Sequence, residues 1–440
     1  MTSRREFIKK SALGSVGLSM AFSASSYNRI VGSNERINFG IAGLNGRGKS
    51  LGLAVAKADN AAIRYICDVD SRQFAKYKEV LATVDADKKV KEIEDFRELV
   101  EKKDIDAVAI ATPEHWHAPM ALLGMQAGKS VYVEKPCSHN PREGELLVEA
   151  QKKYGSVIQM GNQQRSATTS IQAIKEIHEG IIGDVYYGKA WYSNARGSIG
   201  KAKKVAIPDW LNWELWQGPA PRQDFEDIWV HYNWHWHWKW GSGEINNNGT
   251  HEIDICRWAL QVDIPNKVSS SGGRYHYDDD WQFYDTQIAN FEYEDDKMIS
   301  WEGKSCNPSK IFNQGRGAAI YGKDGYAILT RNWAKIYSND GKEIKALKEE
   351  KESATLDTLG VGALDINHMD NMLNAIRKGE ELHSPIAEGA TSNLLCHLGN
   401  ISQKYGRSLE LDNETGRILN DEEAMSLWGR TYEPGWEPKV

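Results

Sequence analysis

The chain has 440 residues and a formal net charge of -7 at pH 7, with 54 Lys and Arg against 61 Asp and Glu. This length is enough for two domains with a large core, and the acidic balance gives no basic face for nucleic acid. After the N-terminal segment, no apolar run is long enough to span a membrane. We therefore expect a globular protein whose partner is a small molecule, with no nucleic acid and no membrane anchor.

Residues 1–33 are predicted to be a twin-arginine export signal and linker. The segment SRREFIKKSALGSVGLSMAFSASS places Arg4 and Arg5 before Phe7 and a weakly apolar run that ends in small residues. A chance basic N-terminus is the alternative. Because no cysteine follows the apolar run, a lipid anchor is not expected. The pattern predicts a periplasmic or otherwise exported protein.

Residues 34–162 predict an N-terminal Rossmann domain, a doubly wound parallel sheet. The segment INFGIAGLNGRGKSLGLAVAKA has the pattern of a strand, a glycine turn and a helix, and AIRYICDVD and DAVAIATP predict buried strands. KSVYVEKP and GSVIQMGNQ add two more strands. Helical patterns intervene, for example over residues 94–102 and 118–127. Alternation of strand and helix is typical of the α/β class.

Residues 163–440 predict an α+β domain with a large, mostly antiparallel open sheet. Helical patterns cover residues 169–179, 252–260, 366–378 and 388–405, and the C-terminal helix is a candidate to pack back on the Rossmann domain. Period-two alternation in DTQIANFEYEDDKMISWEGKS and AAIYGKDGYAILTRN predicts hairpins. Broad open sheets seldom stay bare, so we expect a homodimer or homotetramer.

A glycine-rich turn predicts a dinucleotide site. Gly43, Gly46 and Gly48 lie where the first strand meets its helix, with Asn45 and Arg47 between them. Asp68 ends the second strand at the spacing expected for an acid that accepts from a ribose 2′-hydroxyl. Such an acid repels a 2′-phosphate, so NAD is the predicted cofactor. Arg72 nearby makes that preference moderate.

The segment NWHWHWKWGSGEINNNGTHEIDICRW, residues 233–258, is rich in aromatic residues and histidine. The chain has 16 Trp, and eight of them lie between residues 210 and 240. A packed aromatic core explains a single Trp, but aromatic faces beside polar groups suit a sugar ring. The segment is predicted to form part of a carbohydrate pocket through Trp234, His235, Trp236, His237 and Trp238.

No metal site is predicted. His235 and His237 alternate as in a strand, which places both on one face, but no third ligand has a matching spacing. The five cysteines are scattered, and none has metal spacing. Cys67 and Cys137 are interpreted as buried thiols rather than as disulfide partners.

The motifs ATPEHWH, VEKP and GTHEIDICRW together resemble the Gfo/Idh/MocA oxidoreductase family over nearly all of the chain after the signal. The resemblance implies a sugar or polyol site in the second domain. It also implies that Lys135 reaches both substrate and nicotinamide. The positions assigned to the cofactor on this basis, beside the glycine turn and Asp68, are Thr112, Pro113, His117, Glu134, Lys135 and Asn162. Arg165 is assigned to the substrate.

One position departs from the family pattern. Many members have an acid four residues before the helix histidine, where this chain has Asn247 in NNNGTH. Because an amide cannot take a proton at neutral pH, the base is Lys135 or His251. His251 suits this role near its ordinary pKa, whereas Lys135 needs a lowered pKa. Asp254, one turn later, orients His251 in the site or pairs with Arg257 on the helix.

Three functions follow from these residues. The first is NAD-dependent oxidation of a sugar or glycoside hydroxyl by tightly bound NAD. The second is a redox-neutral glycosidase that resembles glycoside hydrolase family 109, a related branch. Enzymes of that branch oxidise C3 of the sugar, eliminate the aglycone, add water and reduce the sugar again. The third is a non-catalytic sugar-binding protein. Intact Lys135 and His251 argue against the third, and the ordinary VEKP pattern favours the first.

Overall fold

The computed structural model describes residues 36–84, 89–350 and 362–440. The predicted export segment with Arg4 and Arg5 lies outside these residues, and export stays a prediction. Within the described ranges, no helix combines the length and the apolar character needed to cross a bilayer. Residues 37–440 form one unit built on two sheets.

The first sheet is parallel throughout. Its strands are β1 (Ile37–Ala42), β2 (Ala61–Cys67), β3 (Lys91–Ile93), β4 (Ala107–Ile110), β5 (Ser130–Val133) and β6 (Ile158–Met160). They are ordered β3-β2-β1-β4-β5-β6, and every neighbouring pair is parallel. The strand order reverses between β1 and β4, so a crevice opens at the carboxyl ends of these two strands, the usual place for a dinucleotide.

Helices cover both faces of this sheet, which is why its strands are apolar on both sides. They are α1 (Gly46–Lys57), α2 (Arg72–Ala82), α3 (Phe96–Val100), α4 (Glu114–Gln126) and α5 (Pro141–Tyr154). The α4 helix begins directly after Pro113, four residues before the predicted start at 118, and buries nearly all of its surface. The predicted helix 94–102 is shorter, because the Asp95 side chain caps it by accepting from the Arg97 N–H.

The second sheet is mostly antiparallel. Its strands are β7 (Val185–Ser193), β8 (Lys267–Gly273), β9 (Thr286–Glu292), β10 (Met298–Lys304), β11 (Arg316–Gly322), β12 (Gly325–Leu329), β13 (Trp333–Ser338), β14 (Glu343–Lys348) and β15 (Leu409–Glu410). Their order is β14-β13-β12-β11-β7-β10-β9-β8-β15, and only the β7–β10 pair is parallel. Both predicted hairpins are present, as β9–β10 and β11–β12. The predicted fold class is confirmed.

The remaining α-helices of the described residues follow β6 in the chain. They are α6 (Thr168–His178), α7 (Trp213–Gln217), α8 (Thr250–Leu260), α9 (Ala363–Lys378), α10 (Ile386–Tyr405) and α11 (Glu422–Met425). The α6, α8 and α10 helices share one apolar core with the second sheet. The α9 helix instead packs Met369, Met372 and Leu373 into the core around β1 and α1. A late segment of the chain therefore returns to the Rossmann sheet.

The tryptophan-rich segment is mainly a packing core, which differs from the prediction of a sugar-binding surface. Trp213, Trp216, Trp229 and Trp240 are each at most 5 % exposed. Their rings stack on or meet one another edge-on, for example Trp213 on Trp216 at 4.8 Å between ring centroids. The rings bury one another, so most of this aromatic surface stabilises the fold. Trp216 also reaches the wall of the cavity described below.

The predicted strand around His235 and His237 is also wrong. Residues Asn233–Trp236 form a 3₁₀ helix. Trp236 stacks on Trp281 at 3.9 Å, Trp238 packs on Phe283 at 4.0 Å, and His237 is 5 % exposed. Trp236 and Trp238 therefore pack beside Trp281 and Phe283, and the His237 ring meets Trp229 edge-on. None of the three residues lines the cavity described below. The predicted thiols are as expected: all five cysteines are buried and unpaired.

Candidate active site

A cavity of about 360 Å³ lies at the carboxyl ends of β1 and β4 and extends to the second sheet. It brings together residues far apart in the chain. The sequence-predicted residues that line it are Gly43, Asn45, Gly46, Arg47, Asp68, Thr112, Pro113, His117, Glu134, Lys135, Trp234, His235, Asn247 and His251. The cofactor residues of the Rossmann domain therefore face the histidine and asparagine of the second domain across one space.

The glycine turn has the close packing that a dinucleotide cradle needs. Gly43 has φ +81°, and a Cβ there would lie 2.4 Å from the Ala111 carbonyl oxygen. A Cβ at Gly48 would lie 1.7 Å from the Gly43 oxygen, so Gly48 acts by packing rather than by lining the cavity. The α1 helix starts with no side-chain cap and no acid in its first turn. Its N–H groups therefore suit the cofactor diphosphate.

Asp68 lies at the end of β2 and lines the cavity. Its carboxylate accepts from the Leu44 N–H at 2.7 Å and from the Asp70 N–H at 2.9 Å, and burial raises its pKa. Arg72, which could have favoured a 2′-phosphate, is held elsewhere: it pairs with Asp70 at 2.8 Å and lies 3.3 Å over the Trp210 ring. The residues present fit NAD better than NADP.

Replacing Asp68 with alanine is expected to weaken NAD binding by about tenfold or more, the scale of a hydrogen bond to a charged group. NADP binding should fall less, because its 2′-phosphate gains nothing from the carboxylate. Since Asp68 also holds the Leu44 N–H, some loss is common to both cofactors. The ratio of the two dissociation constants, measured by titration of the cofactor-free protein, is the test. An unchanged ratio would remove Asp68 from the ribose site.

Lys135 is held in place by Asn247. The Lys135 Nζ donates to the Asn247 backbone oxygen at 2.5 Å and to the Asn247 Oδ1 at 3.0 Å. Burial lowers the pKa of Lys135 to about 8, although Glu134 and Glu114 nearby act to raise it. The condition for a lysine base, a lowered pKa, is therefore met without any contribution from a bound cofactor.

His251 is placed in the cavity but is not an ordinary histidine. It is 5 % exposed, and burial together with Arg331 and Arg316 holds its pKa well below its usual range. The expectation of an ordinary pKa is wrong, because the histidine is buried and lies near two arginines. His251 is neutral near pH 7, and its Nδ1 has no hydrogen-bond partner among the described residues. It can orient a hydroxyl, but it is a weak base.

The segment before His251 is helical rather than a loop. Residues Ile245–Gly249 form one π-helical turn that leads directly into α8. Such wide turns occur often at functional sites. This one places both the carbonyl and the amide side chain of Asn247 at Lys135.

Ion pairs and hydrogen bonds support the cofactor end of the cavity. Glu134 accepts from Arg47 Nε at 2.7 Å and from Gln163 Nε2 at 3.0 Å, and Arg47 also pairs with Asp365 of α9 at 2.5 Å. The ring nitrogens of His117 lie 2.6 Å from the Pro136 oxygen and 2.8 Å from the Thr112 oxygen. His117 therefore ties the ends of β4 and β5 together.

Arg165 and Asp254 do not line the cavity, which corrects their predicted substrate roles. They form a buried ion pair with two hydrogen bonds, 2.7 and 3.0 Å. Asp254 also accepts from Ser392 Oγ at 2.6 Å. The alternative pair of Asp254 with Arg257 is not formed either, since Arg257 pairs with Asp263 at 2.6 Å. The Asp254 carboxylate therefore joins α8 to Arg165 and to Ser392 of α10.

Asn162, predicted at the cofactor, is also absent from the cavity wall. It is 1 % exposed just after β6, and its amide has no hydrogen-bond partner within the described ranges. Sequence reasoning missed other residues that do line the cavity, namely Tyr192, Arg196, Tyr232, Arg316, Arg331 and Asp365. These come from strands and loops of the second domain and from α9, and no local motif marks them.

No group of three or more His, Cys, Asp or Glu side chains is arranged to hold a metal ion in the described part of the chain.

The fold and this cavity define a two-domain oxidoreductase with an NAD-binding Rossmann domain. The chain belongs to the Gfo/Idh/MocA oxidoreductase family: the family model for "Oxidoreductase family, NAD-binding Rossmann fold" matches residues 37–162, and that for "Oxidoreductase family, C-terminal alpha/beta domain" matches residues 182–437. The resemblance indicated by the motifs is confirmed, as is NAD as the cofactor of the first domain.

The curated relatives carry a glycosidase name. A glycosyl hydrolase family 109 protein of Saccharopolyspora erythraea is 29% identical over 254 residues, which are 51% of this chain and 55% of the relative. Another from Shewanella sp. strain ANA-3 is 26% identical over 207 residues, 43% of this chain and 45% of the relative. The chain thus spans about half the length of the curated relatives it matches.

Solved structures share the fold at low identity. A levoglucosan dehydrogenase in complex with NADH and levoglucosan has a TM-score of 0.66 at 18% identity, over 85% of this chain and 99% of that one. A Caulobacter crescentus aldose-aldose oxidoreductase has a TM-score of 0.64 at 15% identity, over 86% of this chain and 100% of that one. At such identities the likeness supports the architecture alone.

Proposed function

We propose that the protein is an NAD-dependent oxidoreductase that oxidises a hydroxyl group of a sugar or glycoside. The observation that carries this proposal is the pair of hydrogen bonds that Lys135 Nζ donates to the backbone oxygen and the Oδ1 of Asn247. A neutral amine has two N–H groups and one lone pair. Because both N–H groups are held by Asn247, the lone pair is left to face the cavity.

The residues of the cavity then have separate roles in this reaction. When bound, NAD supplies the acceptor for the hydride that leaves the oxidised carbon. Lys135 takes the proton of the hydroxyl at Nζ, and its lowered pKa leaves a useful fraction neutral near pH 7. His251, held neutral by burial, positions the same hydroxyl or its neighbour through the unpartnered Nδ1.

The rate should rise with pH as Lys135 loses its proton. The base is active only above its pKa, so kcat/KM is expected to climb about tenfold per pH unit below the pKa of about 8 and to level off above it. A pH profile of sugar oxidation by the NAD-loaded protein checks this. If the limb instead lay at or below pH 6.5, the ordinary pKa of histidine, the base would be His251, whose pKa is lowered by burial.

The glycosidase of the family 109 type is the second candidate. It is favoured by the curated relatives of that name, which match about half of this chain. Its redox-neutral cycle also suits an exported protein, where free NAD is scarce and the cofactor stays bound. Both reactions begin with oxidation of a sugar hydroxyl, for which Lys135 and His251 serve equally, so the preference for the oxidoreductase rests on the ordinary VEKP pattern.

One experiment separates the candidates. The purified protein is unfolded and the released NAD is assayed, and in parallel nitrophenyl glycosides and free sugars are offered without added cofactor. The oxidoreductase should form NADH in proportion to bound cofactor, whereas the glycosidase should release nitrophenol over many turnovers. If no sugar or glycoside gave NADH or nitrophenol, the sugar-binding alternative would remain and the proposal would be overturned.

We also propose that the protein is a homo-oligomer that uses the outer face of the second sheet. Four partly exposed tyrosines form a stacked column there, with ring centroids 5.0–5.9 Å apart: Tyr187, Tyr321, Tyr326 and Tyr337. An apolar column on an open sheet is typical of an interface. Light scattering of the purified protein gives the oligomer size, and a monomer would contradict the proposal.

A further inference from the structure

The second-domain end of the cavity carries more positive charge than it neutralises. Arg196 is paired with Glu244 at 2.6 Å and Arg316 with Glu252 at 2.7 Å. Arg331, which follows β12 and lines the same cavity, has no ion pair and no hydrogen bond among the described residues. Its Nε is buried without a partner. Arg331 as a whole is partly buried, and an arginine with a buried N–H group is normally paired, because an unpaired buried charge is costly.

The described neighbours of Arg331 carry both signs of charge, but none of them pairs with it. Burial and the adjacent Arg316 lower the pKa of Arg331 to about 9, although Glu252 and Asp365 act to raise it, and Arg331 is the charge that most lowers the pKa of His251. Arg316 is 8 % exposed, and its Nη2 also lacks a partner in the described part of the chain. The site therefore offers guanidinium N–H groups beside His251, whereas the nearest carboxylates, Glu252 and Asp365, are already paired with Arg316 and Arg47.

We propose that the substrate is an acidic sugar, a uronic acid or its glycoside, whose carboxylate pairs with Arg331 and with the unpartnered Nη2 of Arg316. The inference rests on the proposed function and names its substrate class. Guanidinium groups bind carboxylates with paired N–H···O hydrogen bonds. The carboxylate neutralises the excess charge and places the ring hydroxyls between His251 and Lys135.

The cofactor diphosphate is the other anion that could use these arginines. Its place is at the glycine turn and the start of α1, on the Rossmann side, where Arg47 already pairs with Glu134 and Asp365. Arg316 in β11 and Arg331 after β12 instead adjoin His251 and Glu252, although Asp365 and Arg47 also act on the pKa of Arg331. The substrate carboxylate is therefore the assigned partner, and the content of bound NAD tests the assignment.

The test compares D-glucuronate and D-galacturonate with D-glucose and D-galactose on the NAD-loaded protein. Binding is measured by the change in tryptophan fluorescence, at low and high salt, and reaction by the formation of NADH. The acidic sugars should bind about tenfold or more tightly, with a preference that weakens in salt. Arg331→Met should abolish the preference with bound NAD unchanged, and Arg331→Lys should keep part of it.

Arg64→Met is the matched control, because Arg64 is an exposed arginine 3.8 Å from Asp104, and it should keep the full preference. Neutral sugars that bind as well as acidic ones, or no measurable binding of either, would overturn the inference. Loss of NAD in Arg331→Met would also overturn it and assign the arginine to the cofactor. If acidic sugars bind with the predicted preference but no sugar yields NADH, the oxidation fails while the inference stands.

Discussion

Lys135→Ala is expected to lower sugar turnover by about 10²-fold or more, the scale of a lost proton-transfer group. The substitution removes the group that Asn247 holds by two hydrogen bonds and leaves no other strong base, since His251 has a pKa well below its usual range. The glycine turn and Asp68 are untouched, so bound NAD and the melting temperature should change little. Rate, NAD content and melting temperature are measured on the same preparation.

Two further variants show whether the loss reflects proton transfer. Lys135→Arg keeps a cation but cannot release its proton, so it should be as slow as Lys135→Ala. His251→Ala should cost less than Lys135→Ala, because a neutral histidine positions the substrate rather than acting as the base. If Lys135→Arg kept the wild-type rate, Lys135 would act only as a charge. If His251→Ala were the slower variant, the base would be His251.

Asp254→Ala is expected to reduce the free energy of unfolding by about 3–5 kcal/mol, the usual cost of removing one partner of a buried ion pair. Arg165 is 7 % exposed and loses both hydrogen bonds of the pair. Its contact with the half-exposed Glu388 at 3.3 Å offsets only part of the loss. Urea unfolding, followed by fluorescence, measures the change.

Asp263→Ala is the matched control for this prediction. Asp263 also pairs with a buried arginine of α8, Arg257, but its own side chain is 77% exposed. Replacing Asp263 should therefore reduce the free energy of unfolding clearly less than replacing Asp254, because an ion pair with an exposed partner contributes little to stability. If Asp254→Ala were instead stable but inactive, Asp254 would belong to the substrate site, as its sequence context suggests.

The Rossmann half of the site is predictable from the sequence because each of its signals is local. Each signal is contained in a few consecutive residues: the glycine turn, the acid at a strand end and the VEKP segment. The parallel sheet then brings the strand ends to one edge. The sequence alone therefore assigns Lys135 and Asp68 to one site. The apolar pattern places the start of α4 four residues too late, because Pro113 sets the helix start at Glu114 and the pattern begins only after it.

The second-domain half is harder to predict, for two physical reasons. Tryptophans packed in a core and tryptophans on a sugar surface have the same composition, and only the contacts of Trp236 and Trp238 decide between them. Charge partners are set by tertiary structure: Asp254 is close to His251 in sequence, but its partner Arg165 lies 89 positions away. Arg331 belongs to no sequence motif, and only the folding of the antiparallel sheet places it at the cavity.

The central claim is that Lys135 and bound NAD face one sugar hydroxyl across the cavity. It is tested most directly by a single turnover, in which sugars are mixed with the purified protein in the absence of added cofactor and the absorbance of NADH is followed. We expect NADH to appear up to the amount of bound NAD, with a rate that rises with pH toward a plateau above about 8. In Lys135→Arg, bound NAD should remain and NADH should form about 10²-fold more slowly. NADH formation at the same rate in wild type and Lys135→Arg would contradict the claim.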